Sequence, residues 1–162
     1  MLKALKIALL LCLAPLCATA QDLEYWGEAG GWDVMVDTTL GNGCLIQAEY
    51  EDGSVIRIGF DRIDGGGYLT AFDDTWGDIE EGAVYPVQID LDGQEYEGEA
   101  QGIYLGGTPG ADIIFNDPDF LWDIAAKHTL TLYNENGEVM AIDLGGTMAG
   151  LNTAIACQEE MG

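Results

Sequence analysis

The run Cys44-Leu-Ile-Gln-Ala-Glu-Tyr-Glu-Asp-Gly-Ser-Val-Ile-Arg-Ile-Gly-Phe60 holds two apolar-rich segments on either side of Glu51-Asp52-Gly53. An Asp-Gly pair between two such segments is a strong β-hairpin signal, because both residues tolerate the backbone angles of a tight turn. The run therefore predicts two antiparallel strands, over residues 44–50 and 54–60.

The same pattern continues on both sides of this hairpin. Asp92-Gly93 and Asn136-Gly137 separate further pairs of short apolar-rich segments. Counting outward gives six more predicted strands, over residues 32–36, 68–72, 84–91, 94–102, 129–133 and 138–144. Short strands with regular turn signals are typical of an antiparallel β-sandwich or a partly open barrel, here of about 8 strands.

Two segments favour helices instead. Asp117 and Pro118 suit the cap and the first turn of a short mid-chain helix that ends near residue 127. A C-terminal helix is expected to begin at Thr147, as its cap, and to run to Cys157 or just past it, with residues 158–162 frayed.

The first twenty residues differ from the rest of the chain. Lys3 and Lys6 precede an apolar run over residues 7–16, and Ala18-Thr19-Ala20 follows with small residues. That order is typical of a cleaved secretory signal. We therefore expect a signal peptide over residues 1–20, a single β-rich domain over residues 21–162, and a periplasmic or secreted product.

Two cysteines remain after the leader, Cys44 and Cys157. An even pair in an exported chain predicts a disulfide. The bond would pin the C-terminal helix onto an early strand.

Charge narrows the set of partners. Residues 21–162 keep only Arg57, Arg62 and Lys127 against 29 acidic residues, which gives a formal charge of −26. Such a surface repels nucleic acid and anionic lipid. It favours a cationic protein or an envelope component as partner, and no later segment is apolar enough to span a membrane.

Catalytic side chains are scarce. The domain has one serine, Ser54, in the predicted turn, and one histidine, His128, at the predicted helix end. Local structure explains both, so a catalytic triad is not expected and the chain is predicted not to be an enzyme.

Acidic residues around one tryptophan are the candidate ligand surface. Asp73, Asp74 and Asp78 lie close to Trp76 in the sequence and could line a sugar site. Paired carboxylates would also suit glycoside hydrolysis, which is an alternative function.

No metal site or cofactor is predicted. Two cysteines and one distant histidine do not make a zinc set. Calcium remains a weak alternative because it takes oxygen ligands, although no stretch matches an EF-hand. Asp143-Leu144-Gly145-Gly146-Thr147 is similar to the phosphate-binding turn of sugar kinases, but we interpret it as a strand end and a glycine turn.

The order of these features resembles the invasion-associated locus B family of exported α-proteobacterial proteins. The resemblance rests on Trp32-Asp33-Val34, on Cys44 in a strand, on the helix before Thr129-Leu130-Thr131-Leu132, on Asn136-Gly137, and on Ile142 to Gly146 before an alanine-rich helix. It covers most of the domain, but the family's central cysteine pair is missing and Cys157 lies in the final helix. It implies a secreted or envelope-associated protein and no catalytic residues.

Together these features predict a non-enzymatic exported binding or envelope-associated protein. One alternative is an inhibitor or immunity-type protein that binds a cationic enzyme. The other is a carbohydrate-active protein that uses paired carboxylates.

Overall fold

The structure is a computed structural model that describes residues 23–77 and 79–162. The predicted signal peptide and Asp78, one of the predicted ligand-surface residues, lie outside the described residues. Both stay predictions.

Ten antiparallel strands form one sheet in the described part of the chain. They are β1 (Leu23–Ala29), β2 (Trp32–Asp37), β3 (Gly43–Glu49), β4 (Val55–Phe60), β5 (Gly67–Phe72), β6 (Val84–Leu91), β7 (Gln94–Leu105), β8 (Thr108–Phe115), β9 (Thr129–Asn134) and β10 (Gly137–Asp143). Their order across the sheet is β1-β2-β3-β4-β5-β8-β7-β6-β9-β10, and the sheet is not closed. The prediction of a mainly β, partly open architecture is confirmed.

The predicted number of about 8 strands was too low, because β1 and β8 were missed. Strand β8 contains Pro109-Gly110, a pair that reads as a turn in the sequence. In the fold Gly110 lies opposite Phe72 of β5, and a Cβ at this position would overlap the phenyl ring. Strand β1 is interrupted by a register shift between Tyr25 and Gly27, which breaks its alternating pattern.

The two predicted helices are present as α1 (Phe120–Ala125) and α2 (Thr147–Met161), with a short 3₁₀ turn over Asp74–Trp76. The predicted role of Asp117 and Pro118 before α1 is confirmed, because the Asp117 carboxylate accepts a hydrogen bond from Asp119 N (3.0 Å) and Asp119 already has helical backbone angles. The predicted cap of α2 was wrong. Gly146 precedes α2 in the left-handed conformation, while Thr147 is buried in the first turn.

Helix α2 packs over β1, β2 and β3 and closes the core on that side. The Cys44–Cys157 disulfide is confirmed, with both residues fully buried and their Cα atoms 6.1 Å apart. Gln158 adds a second tie, because its Oε1 accepts a hydrogen bond from Cys44 N (3.0 Å). The predicted fraying from residue 158 was therefore wrong.

Contacts outside the strand ladder hold the two ends of the sheet together. Trp32 Nε1 donates to the Gly145 carbonyl (3.0 Å), and the Tyr50 hydroxyl donates to the Asp143 carbonyl (2.8 Å). These bonds bring the end of β10 against the first three strands, so the sheet curls around its apolar face. Among the described helices none is both long and apolar enough to cross a membrane.

Candidate ligand-binding cavity

A cavity of about 540 Å³ lies on the core side of β6 to β10. Its volume falls within the range of about 300–1,000 Å³ that is typical of small-molecule sites. Its wall is mainly apolar and comprises Trp76, Ile79, Tyr85, Pro86, Val87, Ala100, Gly102, Gly110, Ala111, Ile113, Leu132, Asn134, Glu135, Asn136, Glu138 and Val139.

Trp76 reaches this cavity because a capped turn places it there. The Asp73 side chain accepts hydrogen bonds from the backbone N–H and the hydroxyl of Thr75, both at 2.7 Å. Asp73 N donates to the Pro109 carbonyl (3.1 Å), which ties the turn to the start of β8. Asp73 therefore positions the indole through the backbone.

The segment after the turn is fixed in the same way. The Tyr104 hydroxyl donates to the Ile79 carbonyl (2.7 Å), and Glu80 N donates to the Tyr85 hydroxyl (3.1 Å). Gly102 lies so close beneath that a Cβ there would be 2.5 Å from the Glu80 carbonyl oxygen. This wall of the cavity is therefore held by hydrogen bonds and close packing.

The indole nitrogen of Trp76 is buried and has no hydrogen-bond partner among the described residues. An unsatisfied buried donor costs about 1–3 kcal/mol, and most buried tryptophan N–H groups have a partner. An acceptor atom brought beside the indole would remove this cost.

The rim of the cavity is acidic. Glu135 and Glu138 belong to the hairpin that joins β9 to β10, and both side chains are exposed. The hairpin is held by Asn136 N, which donates to Asn134 Oδ1 (2.8 Å). None of the described lining residues is a lysine, an arginine or a histidine.

Of the predicted ligand-surface residues, the structure places Trp76 in the cavity wall and Asp73 beneath it as a turn cap. Asp74 is exposed and does not line the cavity. Of the described acids around Trp76, neither Asp73 nor Asp74 therefore lines the cavity itself. The apolar wall itself gave no signal in the sequence, because its residues follow the ordinary pattern of core strands.

A smaller groove of about 260 Å³ adjoins the cavity along β10. Asp52, Asp73 and Glu138 line it, together with Tyr50, whose pKa is raised to about 12 by burial and then by nearby Asp143 and Asp52. No cluster of three or more metal-ligating side chains is present among the described residues. The acidic side chains of this groove therefore do not support the alternative of calcium binding.

A polar cluster on the opposite face of the sheet was also missed in the sequence. Arg57 is buried, its Nε donates to Gln47 Oε1 (2.8 Å), and its guanidinium lies 5.4 Å from the centre of the Phe72 ring. Burial lowers the pKa of Arg57, while Tyr68 and Asp37 act in the opposite direction. The cluster neutralises some of the charge on this face and does not line the cavity.

Asp112 in β8 belongs to this face and leads to a pH prediction. Burial raises its pKa above the ordinary 3.8, although its hydrogen bond from the Thr70 hydroxyl (2.7 Å) acts against that rise. The folded state therefore binds this proton more tightly than the unfolded chain, so ionised Asp112 destabilises the fold above its raised pKa. We expect Asp112→Asn, which still accepts from Thr70, to raise the melting temperature at pH 7.

This gain should shrink as the pH falls toward 3.8, where the wild-type carboxyl becomes neutral too. Melting curves from pH 7 downward test the prediction, with Asp64→Asn, an exposed aspartate, as the control. A gain for Asp112→Asn that is the same at every pH would contradict it.

No family model matches the chain, and no curated protein matches it significantly. Among solved structures, it is similar to that of invasion associated protein B from Bartonella henselae, with a TM-score of 0.57 and 17% sequence identity. The match covers 82% of this chain and 96% of that chain. The distant resemblance predicted from the order of sequence features is confirmed, and the chain shares the fold of that invasion-associated protein.

Proposed function

We propose that this protein is an exported, non-enzymatic binding protein whose ligand occupies the cavity beside Trp76. The observation that carries the proposal is a mainly apolar cavity whose wall includes an aromatic side chain with an N–H that has no partner among the described residues. Apolar walls with few polar groups are what small-molecule sites have in common.

The placement of the nucleophile and base candidates supports a non-catalytic role. The Ser54 hydroxyl donates to Asp52 (2.7 Å), while His128 Nδ1 lies 3.3 Å from Asp92 and its side chain is 94% exposed. Ser54 is therefore paired with an acid of its own turn and His128 with an acid of the β6–β7 turn, and neither lines the cavity beside Trp76.

Export is supported by the buried Cys44–Cys157 bond, since such bonds persist in oxidising compartments. The likeness to an invasion-associated protein agrees with a role in the cell envelope or outside the cell. Periplasmic or secreted localisation is therefore part of the proposal.

The test is to fill the cavity. We expect Val139→Phe, which adds a ring to the wall, to weaken binding of the neutral fluorescent probe N-phenyl-1-naphthylamine about tenfold, or about 1.4 kcal/mol. The control is Val84→Phe, the same change at an exposed position of β6 outside the cavity. It should bind like the wild type.

Fluorescence titration measures both affinities, and circular dichroism shows whether each variant is folded. Equal probe affinity in folded Val139→Phe and wild type would place the ligand elsewhere. Absence of any probe binding to the wild type would remove the cavity from the proposal.

A further inference from the structure

Resting on the proposed function, we propose that the cavity selects an amphiphile with an apolar chain, a hydrogen-bond acceptor and a cationic head group. The apolar chain fits against the partly exposed apolar side chains of the wall, among them Ile79, Val87 and Val139. Burying such a chain is favourable in proportion to the apolar area that leaves water.

Trp76 is the reason for including a hydrogen-bond acceptor in the ligand. Its indole N–H is the one buried side-chain donor of the described cavity wall that lacks a partner among the described residues. A carbonyl oxygen near the start of the chain would supply that partner when the chain enters the cavity. A pure hydrocarbon would leave the donor unsatisfied.

The acidic rim of the cavity is the reason for a cationic head group on the ligand. Glu135 and Glu138 bring two carboxylates to the hairpin beside the cavity, and no cationic side chain lines the described wall. A cationic head is attracted there, a neutral head gains nothing, and an anionic head is repelled.

The ring of Tyr85 adds to this preference. Tyr85 lines the same cavity and is partly exposed, and its hydroxyl is engaged by Glu80 N. The face of an aromatic ring attracts cations but not anions.

Three matched amides test the selectivity. N-(2-aminoethyl)octanamide, N-(2-hydroxyethyl)octanamide and N-octanoylglycine share the chain and the carbonyl and differ in the charge of the head. In displacement of N-phenyl-1-naphthylamine at low salt, we expect the cationic amide to bind about tenfold tighter than the neutral one, and the anionic amide to bind weakest. High salt should reduce the difference.

The variant Glu135→Gln/Glu138→Gln should remove most of the preference for the cationic amide, leaving the part that Tyr85 supplies, and leave the neutral affinity unchanged. Its control is Glu97→Gln/Glu99→Gln, which removes the same charge from exposed positions of β7 outside the cavity. The control should keep the preference.

Equal binding of all three amides would overturn the cationic head group and leave the proposed cavity function in place. An equal loss of preference in both double variants would also overturn it, because net charge alone would then be responsible. Failure of all three amides and of the fluorescent probe would overturn the proposed function as well.

Discussion

Replacing both cysteines, in Cys44→Ala/Cys157→Ala, is expected to lower the free energy of unfolding by about 3–5 kcal/mol. The bond closes a sequence separation of 113 residues, and a loop of that size removes much of the conformational freedom of the unfolded chain. For a domain of this size the loss corresponds to a fall in melting temperature of roughly 10 °C or more. Chemical denaturation and thermal melting measure it.

The double variant also supplies the control for reduction. For the domain over residues 21–162, a reductant should lower the melting temperature of the wild type and have no effect on the variant, because no cysteine remains there. Hydrogen exchange should show that the amides near the end of α2 lose protection first, since Gln158 is then the remaining tie to Cys44 N. Equal melting of the wild type with and without reductant would contradict the prediction.

The parts of the fold that the sequence predicted are those that local chemistry determines. Asp92-Gly93 joins β6 to β7, and Asn136 and Gly137 lie where β9 turns into β10, because these residues accept the backbone angles of tight turns. The positive φ of 52° at Asp92 is one such angle. Hairpins of this kind connect neighbours in sequence, so their pairing follows from the turn.

The missed parts depend on contacts between distant residues. Strand β8 pairs with β5, with Gly110 opposite Phe72. No local sequence pattern predicts that pairing. The predicted Thr147 cap was wrong for a similar reason. Thr147 is buried by the packing of α2 against the strands, so its side chain is not the cap that its position in the sequence suggested.

The candidate site also has a part that the sequence predicted and a part that it did not. Trp76 stood out because a tryptophan among acids suggests a ligand surface, and the structure places it in the cavity wall. The cavity beside Trp76 is a gap on the core side of β6 to β10 in the curved sheet. The positions of Ala100, Ile113 and Leu132 in the sequence do not reveal that gap.

The second large effect is expected at the glycine turn before α2. Gly146 has a φ of +78°, and a Cβ there would overlap the carbonyl oxygen of Gly30 in the β1–β2 turn. Gly146→Ala therefore combines left-handed strain, about 1–2 kcal/mol, with overpacking, about 1–3 kcal/mol. We expect a loss of about 2–5 kcal/mol in the free energy of unfolding, measured by chemical denaturation.

Gly31→Ala separates the two causes, because Gly31 also has a positive φ of +86° but has open space where the Cβ would lie. It should show the left-handed strain alone. A loss as large in Gly31→Ala as in Gly146→Ala would mean that the close approach of the two backbones contributes nothing.

A double-mutant cycle tests the contact between Gly30 and Gly146 directly. Gly30→Ala alone should be costly, since its Cβ would lie 2.5 Å from the Gly146 carbonyl oxygen. Either substitution alone should move the β1–β2 turn away from the start of α2. The second substitution then meets a wider gap and causes less overpacking. The loss in Gly30→Ala/Gly146→Ala should therefore be smaller than the two single losses added together. Additive losses would show that the two glycines act independently, and the glycine turn would then owe its conformation to the chain around it and not to the contact with β1 and β2.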